Sequence, residues 1–142
     1  DLPVQIFRLS GIYSNESNVL NRLKLGTAKL INKKDHYFSR IHVEDIANIL
    51  FKSIVKFKSG EIYNLSDDKP SPLEEIILYG AKILNIQIPK KIEVSEIENE
   101  MLKNFYKDSK KVNNKKMKNI FNYKLKFPSY IEGLSYIRNN FI

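Results

Sequence analysis

Apolar and polar positions along this chain follow two periods. The run VQIFRL within residues 3–9 is mostly apolar and rich in β-formers, and it stops at Ser10-Gly11. A short run of that kind, closed by a turn, predicts a buried parallel strand over Pro3 to Leu9. Asn18 to Leu25 predicts a short helix with Gly26 as its C-terminal stop. Lys29 to Ile31 reads as a short strand, Lys33 to His36 as a polar turn and Tyr37 to His42 as a second β-like stretch. That stretch runs into the clearest helix of the chain. Val43, Ile46, Ala47, Leu50, Phe51 and Ile54 recur at i, i+3, i+4, i+7, i+8 and i+11, which predicts one apolar face. Glu44 and Asp45 fall in its first turn, where the helix dipole favours acids.

The second half repeats the alternation. Glu61 to Leu65 is strand-like. Ser71, Pro72 and Glu74 predict an N-cap, a first-position proline and a capping box. The helix they open would bury Leu73, Ile76, Ile77, Gly80 and Leu84. Lys90 to Lys111 has no firm period, and Asn114 to Phe121 predicts a short basic helix. Ser129, with Glu132 three residues on, starts a last helix with Ile131, Leu134, Ile137 and Phe141 on its inner side. Short strands separated by helices define an α/β class. A parallel sheet is covered on both faces, and these strands are too few to complete one, so further strands are expected upstream of Asp1.

Composition narrows this picture. The 142 residues, 42% hydrophobic and 28% charged, suit one globular domain. The lack of cysteine excludes disulfides, a Cys-ligated zinc and a thiol nucleophile, and it fits a reducing, cytoplasmic setting. No apolar run has the length to span a bilayer. The first residues lack the basic start and long apolar stretch of a signal peptide. The chain begins with Asp1 rather than Met, which leads us to expect a fragment or a processed chain. The net charge of +8 is local: Lys103 to Lys126 holds nine lysines and one acid, Asp108, and the rest of the chain is balanced. A solvated face is the preferred reading, because the segment lacks the arginines that read base edges and any clear RNA-binding motif.

Four segments carry a resemblance: RLSGIY at 8–13, FSRIHVEDIA at 38–47, GEIYNLSD at 60–67 and FPSYIEGL at 127–134. In this order and spacing they resemble the extended short-chain dehydrogenase/reductases, the NAD-dependent epimerase/dehydratase family. The resemblance implies the C-terminal part of a Rossmann-like doubly wound parallel sheet plus a small mixed α/β substrate lobe. Residues 1–142 would be a single partial domain, with the N-terminal dinucleotide-binding part absent. It places the backbone of Leu9, Ser10, Gly11 and Ile12 along the nicotinamide of NAD or NADP. Glycine suits a close approach of backbone to a flat ring. Arg40 would face the substrate and bind an anion, or pair with a surface acid. Asp45 and His42 are read as structural, and Asn64 as bonding backbone at a strand end.

No catalytic residue is expected in this chain. No G-x-x-G-x-x-G loop opens a helix, and the Tyr-x-x-x-Lys pair that the family uses as acid/base is expected upstream. His36 and His42, six apart, have no metal-ligand spacing. The family implies a small-molecule substrate, with sugar derivatives as candidates, and a homodimer. Two departures weaken a nucleotide-sugar substrate: Gly11 stands where such epimerases commonly carry asparagine, and Phe38 where they carry an arginine for the diphosphate. Two alternatives remain open at this point. One is a noncatalytic scaffold of the same fold. The other is a basic nucleic-acid-binding module using the lysine run with Phe105, Tyr106, Phe121, Tyr123 and Phe127 interleaved.

Overall fold

A computed structural model describes residues 2–142. The chain runs β1 (Ile6–Leu9), β2 (Gly11–Tyr13), α1 (Val19–Lys24), β3 (Leu30–Asn32), β4 (Arg40–His42), α2 (Val43–Val55), β5 (Ile62–Leu65) and α3 (Leu73–Leu84). It continues through β6 (Lys91–Glu93), one 3₁₀ turn (Val94–Glu96), α4 (Glu100–Phe105), α5 (Lys115–Phe121) and α6 (Tyr130–Phe141). The strands form three parallel pairs, β1 with β5, β2 with β4 and β3 with β6. This is the expected α/β class with parallel pairing.

Ser10-Gly11 does not turn the chain. Ser10 N–H donates to the Leu65 carbonyl (3.0 Å), and Gly11 N–H donates to the Ser39 carbonyl (3.1 Å). The chain thus leaves β5 and joins β4 within one residue. Gly11-Ile12-Tyr13 is therefore a strand, β2, where the sequence suggested only a strand end. A dipeptide that ends strands in isolation here switches partners, and only the positions of β4 and β5 make that visible.

Three clusters of buried side chains hold the described residues together, the smallest formed by Ile31, Ile97 and Tyr106. Tyr13 packs with Leu20 and Leu23 of α1, Ile76 and Ile77 of α3, and Leu134 and Ile137 of α6. A Cβ on Gly80 would stand 2.7 Å from Leu23 Cδ1, so glycine there sets how closely α3 approaches α1. A Cβ on Gly133 would fall 2.7 Å from Tyr13 Cζ, so α6 lies directly on the Tyr13 ring. The second cluster joins Ile41, Ile46, Ile49, Tyr63 and Leu65 to Met117, Phe121 and Leu125.

Three expectations are corrected. The apolar face expected of α2 is largely outside: Phe51 is 71% and Ile54 74% exposed, and Val43 and Leu50 are also exposed. The helix seats instead through Asp45, Ile46, Ile49 and Ser53. Its apolar residues cover more than one side, and a one-face reading chose the side without a neighbour in this chain. At α3, Pro72 is the N-cap and gives no side-chain bond; the Ser71 hydroxyl donates to the Lys69 carbonyl instead. At α6, Ser129 does cap, accepting from Ile131 N–H, and its hydroxyl also donates to the Glu132 carboxylate. Leu134 and Ile137 are buried there, whereas Ile131 and Phe141 are exposed.

Candidate functional site

The β2–β4 pair sets the centre of the site. In its register Gly11 lies opposite Arg40, and a Cβ on Gly11 would stand 3.4 Å from the Ser39 carbonyl oxygen and 3.9 Å from Arg40 Cβ. Arg40 is 7% exposed. Its guanidinium carbon sits 4.1 Å from the centre of the Phe38 ring, a cation–π contact. Both terminal nitrogens, Nη1 and Nη2, are buried and have no hydrogen-bond partner. Burial lowers the Arg40 pKa to about 10, and the charge of Asp67 works in the opposite direction. Unpartnered buried charge is costly.

Asp67 follows the end of β5. Its N–H donates to the Arg40 carbonyl (2.7 Å), which ties the two residues together through the backbone. Its Oδ1 accepts from Lys69 N–H (3.0 Å), while Oδ2 is buried without a partner. Burial pushes this carboxyl up to about 7, against the pull of the Lys69 amide and Arg40. Among the described residues no direct ion pair joins Arg40 to Asp67.

Arg40 lies in the wall of a cleft of about 130 Å³. Gly11, Ile12 and Phe38 line it beside Arg40, and Leu73 and Leu134 close it from α3 and α6. Arg22 and Asn18 stand on the α1 side. Of the four residues assigned to the cofactor, Gly11 and Ile12 line this cleft; Leu9 and Ser10 lie just before it at the end of β1. Leu9 is 45% and Ile12 53% exposed, an open apolar rim. Asp67 and Phe38 had no binding role in the sequence reading. Asp67 lies inside one of the four segments, so its place was marked although its burial was not.

His42 and Asp45 are structural. His42 Nδ1 accepts from Glu44 N–H (3.2 Å) and so caps α2. Its ring lies edge-on to Tyr13 and 4.2 Å from Phe127, and burial lowers its pKa. Asp45, fully buried, accepts from the Tyr123 hydroxyl (2.7 Å), Lys126 N–H (2.7 Å) and Phe127 N–H (3.0 Å). It pins the start of α2 to the segment that leads into α6. Asn64 is exposed and does not bond the backbone as expected; Asn114 does that work, donating to the Ser66 carbonyl (3.0 Å) and to Asp68 (2.8 Å).

One Tyr-x-x-x-Lys spacing does occur in the chain, at Tyr106 and Lys110. It is not an acid/base pair. Tyr106 is 3% exposed, and burial pushes its hydroxyl up to about 12. Lys110 lies beyond the end of α4, with its amine in solvent against Asp108 (3.3 Å). The lysine run is likewise dispersed. Lys116 pairs with Glu61, Lys118 with Asp68 and Lys126 with Glu44. Tyr106, Phe121 and Phe127 are core residues and offer no face for stacking bases. Among the described residues no group of three or more metal-ligating side chains occurs.

No protein-family model matches the sequence, and no curated protein does. Solved structures do. A functionally unknown conserved protein from Silicibacter pomeroyi is 34% identical over 98% of this chain and 50% of its own, with a TM-score of 0.92. The dTDP-glucose 4,6-dehydratase of Bacillus anthracis, solved with NAD, is 19% identical over 97% of this chain and 44% of its own (TM-score 0.74). A human epimerase family protein, solved with NADPH, is 18% identical over 96% and 48% (TM-score 0.76). The fold is thus that of the C-terminal part of Rossmann-like epimerase/dehydratase proteins. The chain spans about half the length of the structures it matches.

Proposed function

We propose that this chain is the substrate-side part of an NAD(P)-dependent epimerase/dehydratase-type oxidoreductase. The observation that carries the reading is the fold match over nearly the whole chain to proteins solved with NAD and NADPH. In this reading residues 1–142 are one partial domain, and strands upstream of Asp1 add to β1. The exposed apolar residues Ile6 and Leu9 of β1 and Phe51 and Ile54 of α2 are the surface such strands and their helices would cover.

The site residues fit this role. Gly11 has no side chain and leaves its backbone open to a flat ring, and the apolar rim at Leu9 and Ile12 suits the ring's face. Leu9, Ser10, Gly11 and Ile12 would form the wall beside the nicotinamide. That group, when bound, accepts or donates hydride at a substrate carbinol or carbonyl carbon. Arg40 holds the substrate in the cleft. The chain supplies position and exclusion of water but not the tyrosine and lysine of the family's acid/base pair, which this reading places upstream, so it is inactive alone.

The test compares the 142-residue chain with the protein extended upstream of Asp1, by NADH and NADPH fluorescence titration and by turnover. Cofactor binding and turnover are expected only from the extended protein. Turnover by the 142-residue chain alone would refute the reading. The basic-module alternative predicts steeply salt-dependent nucleic-acid binding. The burial of its aromatic residues and the pairing of its lysines weigh against it.

A further inference from the structure

We propose that the cleft takes a small anionic head, a carboxylate or a phosphate monoester, on a short apolar body, with Arg40 as its recognition residue. This deepens the reading above, since it treats the cleft as the substrate site. Three observations carry it. Arg40 is more than nine-tenths buried, lines the cleft, and leaves both Nη atoms without partners. A guanidinium meets two oxygens of a carboxylate or phosphate at once, and such charge-assisted pairs are the strong ones. The second charged group at the cleft is Arg22, also a cation, and no acid lines it. One side of the cleft is apolar, through Ile12, Leu73, Ile76 and Leu134, while Ser17, Asn18 and Tyr130 add polar groups to its lining.

Size and register give the limit. A cleft of about 130 Å³ is close to the roughly 150 Å³ that holds a single benzene ring in an engineered cavity. Clefts for drug-sized ligands run to about 300–1,000 Å³. The space beside Arg40 within this chain is that of a small head group rather than a whole nucleotide. Gly11 matters here too: across the register it leaves the space next to Arg40 empty, and a larger residue would fill it. The Phe38 ring packs against the guanidinium at 4.1 Å without using any of its N–H donors. Asp67 stands close enough to temper the Arg40 charge but does not bond it, so both Nη atoms remain without an acceptor in this chain. Glu75, the nearest acid on α3, is engaged by the Tyr130 hydroxyl at 3.4 Å.

The experiment is an NMR titration of the chain with butyrate, inorganic phosphate and uridine diphosphate in turn, repeated on Arg40→Met and Arg40→Lys. Saturable shifts at Gly11, Leu73 and Leu134 are expected with butyrate or with phosphate, and whichever binds more tightly identifies the head group. Arg40→Met should weaken that binding about tenfold or more, and Arg40→Lys less, because lysine keeps the charge and loses the two-pronged geometry. Without ligand, Arg40→Met should melt no lower than the parent chain, since it removes a buried guanidinium with unpaired donors. If Arg40→Met fails to fold, Arg40 is a structural residue and the proposal falls; the Arg40→Lys affinities report the same point independently. Shifts that persist unchanged in Arg40→Met, or binding of uridine diphosphate alone, would also overturn it. Cofactor-dependent turnover without anion binding removes this inference and leaves the family reading standing. Anion binding without any nicotinamide binding does the reverse.

Discussion

At the scale of single residues, burial decides what the charges do. Asp67 and His42 are both ionisable, both buried and close to the cleft, and burial moves them in opposite directions. The Asp67 pKa is raised from 3.8 to about 7 in the folded chain. A raised carboxyl favours folding only while protonated. Its contribution is therefore full below about pH 4 and is lost as pH rises to about 7. His42 has a lowered pKa, so its contribution is present above about pH 6.5 and is lost as pH falls below that. Asp67→Asn keeps the Oδ1 acceptor for Lys69 and removes the titration. The variant should be more stable than the parent at pH 8, with the advantage shrinking toward pH 4. Urea unfolding midpoints at pH 5 and pH 8 check this; an identical pH response in both proteins would mean that Asp67 ionises freely.

At the scale of elements, Asp45 is the joint between α2 and the approach to α6. Its two oxygens satisfy the Lys126 and Phe127 amides and the Tyr123 hydroxyl, partners about eighty residues away in the chain. Asp45→Ala leaves those donors without an acceptor, at about 1–3 kcal/mol for a buried one. A loss of about 2–4 kcal/mol is expected, read from chemical denaturation. Asp45→Asn, which keeps one acceptor oxygen, should lose less. If the two variants are equally stable with the parent, this tie does not hold the elements together. Its acidic place in the first turn of α2 was legible from the sequence. Its bonds to the α6 approach were not, because nothing local distinguishes a dipole-favoured acid from one that also reaches another element.

At the scale of the whole molecule, the exposed apolar face of α2 is the feature that needs a neighbour. Phe51, Ile54 and Val55 are each more than 70% exposed, an unusual surface for a monomer. Replacing Phe51 and Ile54 by glutamate together should change stability little, within about 1 kcal/mol, as surface substitutions do. The same change should reduce self-association of the 142-residue chain in light scattering. A large drop in stability would instead show that these side chains belong to this chain's own core.

Much of this architecture is local in origin. The strands at β1, β4 and β5, the helices α1, α2, α3, α5 and α6, and the cap at Ser129 follow from residues within a few positions of one another. Period, turn chemistry and dipole act at that range, so the chain alone determined them. The candidate site was legible in part: Gly11 and Arg40 were singled out, and the register places them opposite each other. What required the tertiary structure depends on distant partners. The switch of strand partner at Ser10-Gly11 needs β4 and β5 in place. The seating of α2 depends on which of its apolar sides meets α5 and β5. The raised carboxyl of Asp67 and the unpartnered donors of Arg40 are products of burial. Burial is a property of the packed molecule, and periodicity within one element does not report it.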